Sequence, residues 1–300
     1  MPAWLLQRER SEPPGRALRR LVQHERGLVV PGVFNPLVGL IAARLGFRAL
    51  YFSGAAYSAS QALPDLGLFT LTELVQAVRP ICRATGLPLI VDADTGFGEA
   101  LNVVAAVEQL EHAGAAAIQI EDQQMPKRCG HLSGTVVVDA EEMARKVAAA
   151  ARARRDLLIV ARTDARATHG FDEAVRRARL YVEAGADIVF PEALESEEEF
   201  EAFARAVDVP LLANMTEFGK TPYIPARRFA EWGYRIVIFP VTTLRIAARA
   251  VEEALGALRD TGTQQGLLDR MQSRQELYDL IGYEEYERLD QEVARWRSGA

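Results

Sequence analysis

The sequence predicts an α/β fold: a (β/α)8 barrel of the TIM type with a C-terminal helical extension. Short runs of apolar, β-branched residues alternate with amphipathic helical stretches, a pattern typical of strands joined by crossover helices. The runs are apolar at nearly every position, which indicates a parallel sheet that is covered on both faces. Eight such units fit a closed barrel better than an open sheet.

The strand candidates are the short apolar runs that end in polar residues or turns. In chain order they are Gly27–Val33, Ala49–Ser53, Pro88–Asp94, Ala116–Asp122, Leu157–Thr163, Asp187–Glu192, Pro210–Asn214 and Arg235–Pro240. Apolar residues at helical spacing fill the intervals, most clearly in Leu71–Thr85, Leu101–Ala113, Ala140–Arg154, Asp172–Ala184 and Ser196–Ala206. Glycines that favour helix ends follow several helical stretches, at Gly46, Gly86, Gly114, Gly185 and Gly233.

We expect one domain over residues 1–300. Its helical flanks would be an N-terminal segment, 1–26, and a polar C-terminal extension from about 254 to 300. The chain has 300 residues, 49% of them hydrophobic, which is enough to bury a large core.

Composition excludes several functional classes. The net charge of −6 is mild and mixed in sign, so the chain has no electrostatic footprint for nucleic acid. No apolar run approaches the roughly 20 residues needed to cross a bilayer, and residues 1–26 lack the apolar core of a signal peptide. Only Cys82 and Cys129 are present, which argues against a disulfide framework and fits a reducing cytoplasm. A dinucleotide fingerprint and a phosphate loop are both absent from the sequence.

Polar residues cluster where the predicted strands end, which is where a barrel carries its chemistry. Asp92 and Asp94 are two residues apart at the end of a strand, so both side chains should leave the same face. A divalent cation would relieve their repulsion, and ligands that are all oxygen suit Mg²⁺ or Mn²⁺. Glu121 and Asp65 are candidates to complete the site through water. The alternative for the pair is a helix cap with a salt bridge.

The segment Lys127-Arg128-Cys129-Gly130-His131 crowds a thiol with two cations and an imidazole. Positive charge favours the thiolate, so we expect a lowered pKa for Cys129. The glycine lets a ligand approach the backbone closely. The alternative is a surface loop whose cysteine has no role.

Arginines are the candidates to bind substrate carboxylates, since a guanidinium matches a carboxylate with two hydrogen bonds. Arg162 is the strongest because it lies in an apolar strand, although a structural ion pair with Glu192 is a competing interpretation. Arg245 and Arg274 are further candidates, but their periodicity alone would leave both in solvent.

Taken together, these residues resemble the isocitrate lyase and phosphoenolpyruvate mutase superfamily, and within it the short 2-methylisocitrate lyases. The resemblance covers nearly the whole chain, and the Lys-Arg-Cys-Gly-His segment is its most specific part. The other matching segments are Ser53-Gly54, Leu63-Pro64-Asp65-Leu66-Gly67, Asp92-Ala93-Asp94-Thr95-Gly96, Ile120-Glu121-Asp122-Gln123, Ala161-Arg162-Thr163-Asp164, Phe190-Pro191-Glu192, Asn214-Met215-Thr216-Glu217 and Met271-Gln272-Ser273-Arg274.

The resemblance implies a Mg²⁺ site on Asp92 and Asp94, with Asp65 and Glu121 acting through water, and a homotetramer that exchanges the helix after strand eight. It also implies catalytic roles for Lys127, Cys129, His131, Arg162 and Glu192. Expected substrate contacts come from Tyr51, Ser53, Gly54, Ala55, Cys129, Gly130, His131, Arg162, Glu192, Asn214, Thr216, Arg245 and Arg274. The sequence departs from the family at Ala55-Ala56-Tyr57, where the bacterial enzymes have glycines.

The implied reaction is the retro-aldol cleavage of 2-methylisocitrate to pyruvate and succinate, a step of propionate catabolism in the methylcitrate cycle. Cys129 would be the general acid that protonates the carbanion, and its charged neighbours would tune its pKa. Tyr51 and Glu192 both remain candidates for the base, and Phe190 and Ile238 could receive the substrate methyl group. The alternatives are a lyase for dimethylmalate, isocitrate or another 2-hydroxy acid, a phosphoenolpyruvate or carboxyphosphonoenolpyruvate mutase, and a non-catalytic binding barrel.

Overall fold

All eight predicted strands form, and every pairing between them is parallel. The strands are β1 Leu28–Pro31, β2 Leu50–Phe52, β3 Leu89–Asp92, β4 Ala117–Glu121, β5 Leu158–Thr163, β6 Ile188–Pro191, β7 Leu212–Asn214 and β8 Ile236–Phe239. The computed structural model describes residues 12–128, 130 and 134–295. Each strand is shorter than predicted by up to three residues, because residues beyond the regular ladder lose their strand partners.

Two groups of strands close into a barrel. Strands β2 to β6 pair in chain order, and β1 pairs with β8, which pairs with β7. Single parallel bridges join the groups, between Gly32 and Tyr51 and between Val189 and Leu211. The prediction of a (β/α)8 barrel is therefore confirmed.

Helices alternate with the strands, as the periodicity predicts. They are α1 Pro14–His24, α2 Pro36–Arg44, α3 Gly54–Ser60, α4 Leu71–Thr85, α5 Ala100–Ala113, α6 Ala140–Ala153, α7 Ala165–His169, α8 Phe171–Glu183, α9 Glu197–Ala206, α10 Ala226–Trp232, α11 Thr242–Thr261, α12 Arg274–Ile281 and α13 Tyr283–Ala294. Local chemistry sets the ends of α4: Thr70 and Glu73 form a capping box at its start, and Gly86 ends it with φ +66°. In the described part of the chain, no helix is both long and apolar enough to span a membrane.

Apolar side chains fill the inside of the barrel, and α1 joins this inner core. Leu18 and Val22 of α1 are buried with Leu28, Leu158 and Ile236. These strand residues lie near the amino ends of their strands, so α1 covers that end and leaves the carboxyl ends to the loops. The helix predicted within residues 1–26 thus forms at Pro14–His24, while residues 1–11 lie outside the described residues.

The C-terminal region differs from the prediction in its boundary. Residues 254–261 continue the long helix α11, which has no buried residue, so the separate extension begins after Gly262. Helix α12 packs on α2, where Leu280 is buried with Leu40 and Ala84. The outward-facing side chain of β1, Val29, is only partly covered, with 37% of its surface exposed.

Candidate active site

A cavity of about 360 Å³ lies at the carboxyl ends of the strands and gathers most of the predicted site residues. The predicted residues that line it are Tyr51, Ser53, Ala55, Asp65, Asp92, Lys127, Gly130, Arg162, Glu192, Asn214, Thr216 and Arg245. They come from many separate segments, and parallel strands bring them together because all their carboxyl ends meet at one face.

Asp92 and Asp94 converge as predicted, although by a different backbone route. Asp92 ends β3, whereas Asp94 lies beyond the strand with φ +48°. A Cβ atom at Gly54 would lie 3.1 Å from Asp92 Oδ2 and 3.2 Å from Asp94 Oδ1. Both carboxylates therefore border the same point, and the glycine leaves that point open.

The carboxylates fit a hard divalent cation. Both oxygens of Asp94 and both of Glu121 are buried without a hydrogen bond of good geometry, which is costly for carboxylates unless a cation compensates them. Among the described residues, no three His, Cys, Asp or Glu side chains form a ligand cage. Mg²⁺ suits such a site, since it commonly takes one or two carboxylates and keeps several waters.

Lys127 lies among these carboxylates. Its ammonium forms an ion pair with Asp65 and lies 2.9 Å from Asp94 Oδ1. Burial opposes the charge, but Glu121, Asp94 and Asp65 outweigh it and raise the pKa of Lys127 well above its usual value. The sequence predicted that this lysine tunes the cysteine; the structure shows it bound at the acidic end of the cavity.

Arg162 lies on the other side of Glu121 and contacts three carboxylates. Its Nε and Nη2 donate to Asp164 at 2.9 and 2.8 Å, and its other contacts are Glu121 at 3.2 Å and Glu192 at 3.7 Å. Burial opposes the charge, yet these carboxylates raise the pKa of Arg162. Burial raises the pKa of Asp164 to about 6 against the opposing effect of Arg162. The predicted ion pair with Glu192 exists, but Asp164 is the closer partner.

A chain of hydrogen bonds joins Tyr51 to Asp92. The Tyr51 hydroxyl donates to Gln119 Oε1 at 2.5 Å, and Gln119 Nε2 donates to Asp92 Oδ1 at 3.0 Å. Burial, followed by the charge of Asp92, raises the pKa of Tyr51 well above its usual value. The hydroxyl therefore keeps its proton, and an amide oxygen does not remove it.

The segment that carries the predicted cysteine enters the cavity at Gly130. A Cβ atom there would lie 2.5 Å from Asp164 Oδ1 and 2.8 Å from Arg162 Nη2, so only glycine fits without a shift. Gln123 makes two hydrogen bonds to the backbone of Arg128, which lies two residues before Gly130. Cys129 and His131, two central residues of the predicted site, lie outside the described residues.

Of the remaining candidates, Asn214 and Arg245 line the cavity and Arg274 does not. Asn214 Nδ2 donates to Glu192 at 3.3 Å, and Arg245 Nε lies 3.5 Å from Glu217 Oε2 at the cavity rim. Because Arg274 is not among the residues that line the cavity within this chain, its predicted substrate contact stays a prediction. It starts α12, which packs on α2.

Sequence reasoning missed Gln119, Gln123 and Asp164 as members of the site. Gln119 was detectable, because it is two residues before Glu121 on β4 and strand alternation places both on the inner face. Gln123 and Asp164 follow strand ends and lie in segments that match the family, but several polar residues stand at each strand end, and residue type alone did not select these two.

Comparison with known proteins identifies the family and several full-length relatives. A family model for phosphoenolpyruvate phosphomutase matches residues 18–259. The 2-methylisocitrate lyase of Aeropyrum pernix is 60% identical over 290 residues, which is 97% of this chain and 94% of that protein.

Solved structures show the same architecture. A crystal structure of 2,3-dimethylmalate lyase, a PEP mutase/isocitrate lyase superfamily member, gives a TM-score of 0.89 at 36% identity, with 97% of this chain and 99% of that chain covered. A phosphonopyruvate hydrolase in complex with oxalate and Mg²⁺ gives a TM-score of 0.84 at 33% identity, with 95% and 99% covered.

Proposed function

Because this chain belongs to the phosphoenolpyruvate phosphomutase family, we propose that it is a carbon–carbon lyase that cleaves 2-methylisocitrate to pyruvate and succinate. The observation that carries the proposal is that the cavity has carboxylates at one end and a guanidinium opposite them. Its acidic end carries Asp92, and the guanidinium of Arg162 lies across the same space. A substrate with a hydroxyl at one end and several carboxylates matches both ends.

Asp92 and Asp94 would hold Mg²⁺, with Asp65 and Glu121 as water-mediated partners, and Mn²⁺ would satisfy the same oxygen ligands. When bound, the cation would lower the pKa of the substrate hydroxyl and stabilise the carbonyl that forms. The buried oxygens of Asp94 and Glu121 support this assignment, because they make ion pairs with Lys127 and Arg162 but no hydrogen bond of good geometry.

Arg162 and Asn214 would bind the succinate half of the substrate. Cleavage leaves a carbanion next to a carboxylate, and preorganised donors stabilise charge that develops in a buried site. Arg162 suits this role because Asp164 fixes its guanidinium from the side. Thr216, Ser53 and the Gly54 backbone would add neutral contacts.

Cys129 would act as the general acid, since the adjacent Gly130 lies against Arg162 and Glu192. For the base we now favour Glu192 over Tyr51. The Tyr51 hydroxyl donates to Gln119, and burial raises the pKa of Tyr51, so it is a poor proton acceptor. Glu192 lines the cavity with an ionisable carboxylate.

The substrate methyl group would enter the apolar side of the cavity, which Phe190 and Ile238 line. Burying one methyl group contributes roughly 0.8 kcal/mol, so this contact alone gives modest selectivity over isocitrate.

The subunits would form a homotetramer that exchanges helix α11. This helix carries Val251, Leu255 and Leu258 on one exposed face, and such a stripe usually packs on protein. Arg274 would then reach a cavity only across a subunit contact. We also propose a cytoplasmic location, because a catalytic cysteine needs reducing conditions.

The test is Mg²⁺-dependent release of pyruvate from 2-methylisocitrate, with isocitrate, 2,3-dimethylmalate and phosphoenolpyruvate in parallel. We expect the highest kcat/KM for 2-methylisocitrate. Preference for another compound would keep the lyase chemistry and reassign the substrate, and no turnover of any of the four would refute the proposed function.

Replacement of Cys129 tests the proposed acid. Cys129→Ser should lose most turnover while Mg²⁺ binding is retained, and Cys82→Ala, in the core, is the matched control. Unchanged turnover of the Cys129 variant would rule out the cysteine as the acid.

A further inference from the structure

Gln123 binds the backbone of Arg128 at two points. Its Oε1 accepts from the Arg128 amide at 2.8 Å, and its Nε2 donates to the Arg128 carbonyl at 2.8 Å. The side chain is buried, with 2% exposed. Two parallel hydrogen bonds to one residue fix both the position and the orientation of that backbone.

The same amide nitrogen also contacts Asp164, which is the ion-pair partner of Arg162. Gln123 Nε2 donates to Asp164 Oδ1 at 3.1 Å, and this oxygen also accepts from Arg162 Nη2 at 2.8 Å. A primary amide has two N–H donors, so both are used here. Rotation of Gln123 would break its contacts with Arg128 and Asp164 together.

Gly130 provides a second contact between these two groups. Its backbone is so close to Asp164 and Arg162 that an added Cβ would lie within 2.8 Å of both. Gly130 therefore meets the Arg162–Asp164 pair directly, and Arg128 is joined to the pair through Gln123.

We propose that Gln123 is a positioning residue that couples the placement of the Arg128 backbone to the orientation of Arg162. The inference rests on the proposed function, because Arg162 is its substrate-binding arginine. Gln123 itself does not line the cavity. It acts through its simultaneous hydrogen bonds to Arg128 and to Asp164, the partner that holds the guanidinium of Arg162.

The backbone of Gln123 is held independently of its side chain. Residue 123 forms an antiparallel bridge with Val137, and the flanking Gln124 amide donates to the Val136 carbonyl at 2.8 Å. Replacing the Gln123 side chain should therefore leave the chain path intact, so the substitution isolates the amide contacts.

The experiment compares Gln123→Ala and Gln123→Glu with the matched control Gln124→Ala, whose side chain is exposed. Each full-length variant is assayed for kcat and KM on 2-methylisocitrate, for Mg²⁺ binding by calorimetry, and for hydrogen exchange at the Arg128 amide. Gln123→Glu keeps the acceptor for the Arg128 amide but places an oxygen against the Arg128 carbonyl and Asp164.

We expect both Gln123 variants to lose about 10- to 100-fold in kcat, as for two or three buried hydrogen bonds, with little change in Mg²⁺ affinity. Exchange at the Arg128 amide should accelerate in Gln123→Ala and stay unchanged in Gln124→Ala. A residue that only supported the fold would lower thermal stability and Mg²⁺ binding together with activity.

Two results would overturn the inference: a kcat within about threefold of the parent in both Gln123 variants, or unchanged Arg128 exchange in Gln123→Ala. Failure of the parent protein to cleave 2-methylisocitrate would instead refute the proposed function. The exchange measurement would still decide whether Gln123 holds the segment, since it needs no substrate.

Discussion

Negative charge exceeds positive charge in and around the cavity. Six carboxylates lie around Lys127 and Arg162, and the other cations that line the cavity are Arg128 and Arg245; the carboxylates are Asp65, Asp92, Asp94, Glu121, Asp164 and Glu192. Buried like charges raise one another's cost of ionisation, and burial raises the pKa of Glu121 well above its usual range. A divalent cation would relieve this excess at the acidic end.

If Mg²⁺ binds as proposed, Asp94 should make the affinity for it depend on pH. In the chain without a bound cation, burial raises the pKa of Asp94 to about 7, although Lys127 opposes the shift. A raised pKa means that Asp94 holds a proton below about pH 7, so Mg²⁺ must displace it. We expect the affinity to fall by up to about tenfold per pH unit below pH 7 and to level off above it.

Calorimetry at about pH 6 and pH 8.5, in buffers of different ionisation enthalpy, checks this effect through the protons released on binding. Equal affinity at the two pH values would contradict the role of Asp94 as a ligand that must lose a proton.

Gly130 has no room for a side chain. In Gly130→Ala, the new methyl group would displace Arg162 and Asp164, and small misplacements of binding groups cost about 100-fold in rate. We expect kcat/KM to fall by that order while the thermal midpoint changes little. Gly266→Ala is the control, because a Cβ there meets no atom within 4 Å. Equal activity of the two variants would contradict the tight contact.

At the scale of elements, Asp122 ties β4, β5 and α8 together behind the cavity. It accepts from Thr163 and Tyr181 at 2.8 Å, from the Asp164 amide at 2.9 Å and from Arg177 at 3.1 Å. Asp122 and Arg177 are both buried. This hub sets where β5 ends, and therefore where Arg162 and Asp164 lie.

Asp122→Ala would leave Arg177 with Glu173 as its remaining carboxylate partner. It would also remove the acceptor of Thr163, Tyr181 and the Asp164 amide. Breaking a buried ion pair costs about 3–5 kcal/mol of unfolding free energy. The control is Asp156→Ala, whose pair with Arg16 is largely exposed and is worth at most about 1 kcal/mol. Urea denaturation at a fixed chain concentration measures both, and similar losses would show that Asp122 is not a hub.

Helix α3 contains the alanines where the resemblance leads us to expect glycines. Ser53 caps the helix, and Tyr57 packs between the rings of Phe52 and Phe69. Alanine favours a helix by about 1 kcal/mol over glycine, so Ala55 and Ala56 support this element. Gly54 is retained where a side chain would press on Asp92 and Asp94.

At the scale of the whole molecule, helix α11 extends from the barrel with its apolar face exposed. If another subunit covers this face, a change of Val251 and Leu255 to Gln should weaken association by about 100-fold or more, because each buried side chain contributes roughly 1.5–3 kcal/mol. The control pair, Arg249→Gln with Glu253→Gln, alters the opposite face and should leave assembly unchanged. Light scattering across a range of protein concentrations measures the effect, and equal masses for both variants would contradict it.

The sequence by itself determined the eight strands and most of the residues at their carboxyl ends. Apolar periodicity marks each strand, and a closed parallel barrel brings all those ends to one face, so Asp92, Arg162, Glu192 and Asn214 meet regardless of loop detail.

Only the tertiary structure decided which charges pair. Lys127 pairs with Asp65 and Asp94. Arg162 is closer to Asp164 than to Glu192, and Arg274 does not line the cavity of its own chain. These outcomes depend on the paths of loops and on packing between distant helices. Electrostatic contacts change over a few ångströms, which is finer than strand order and hydrophobic pattern can specify.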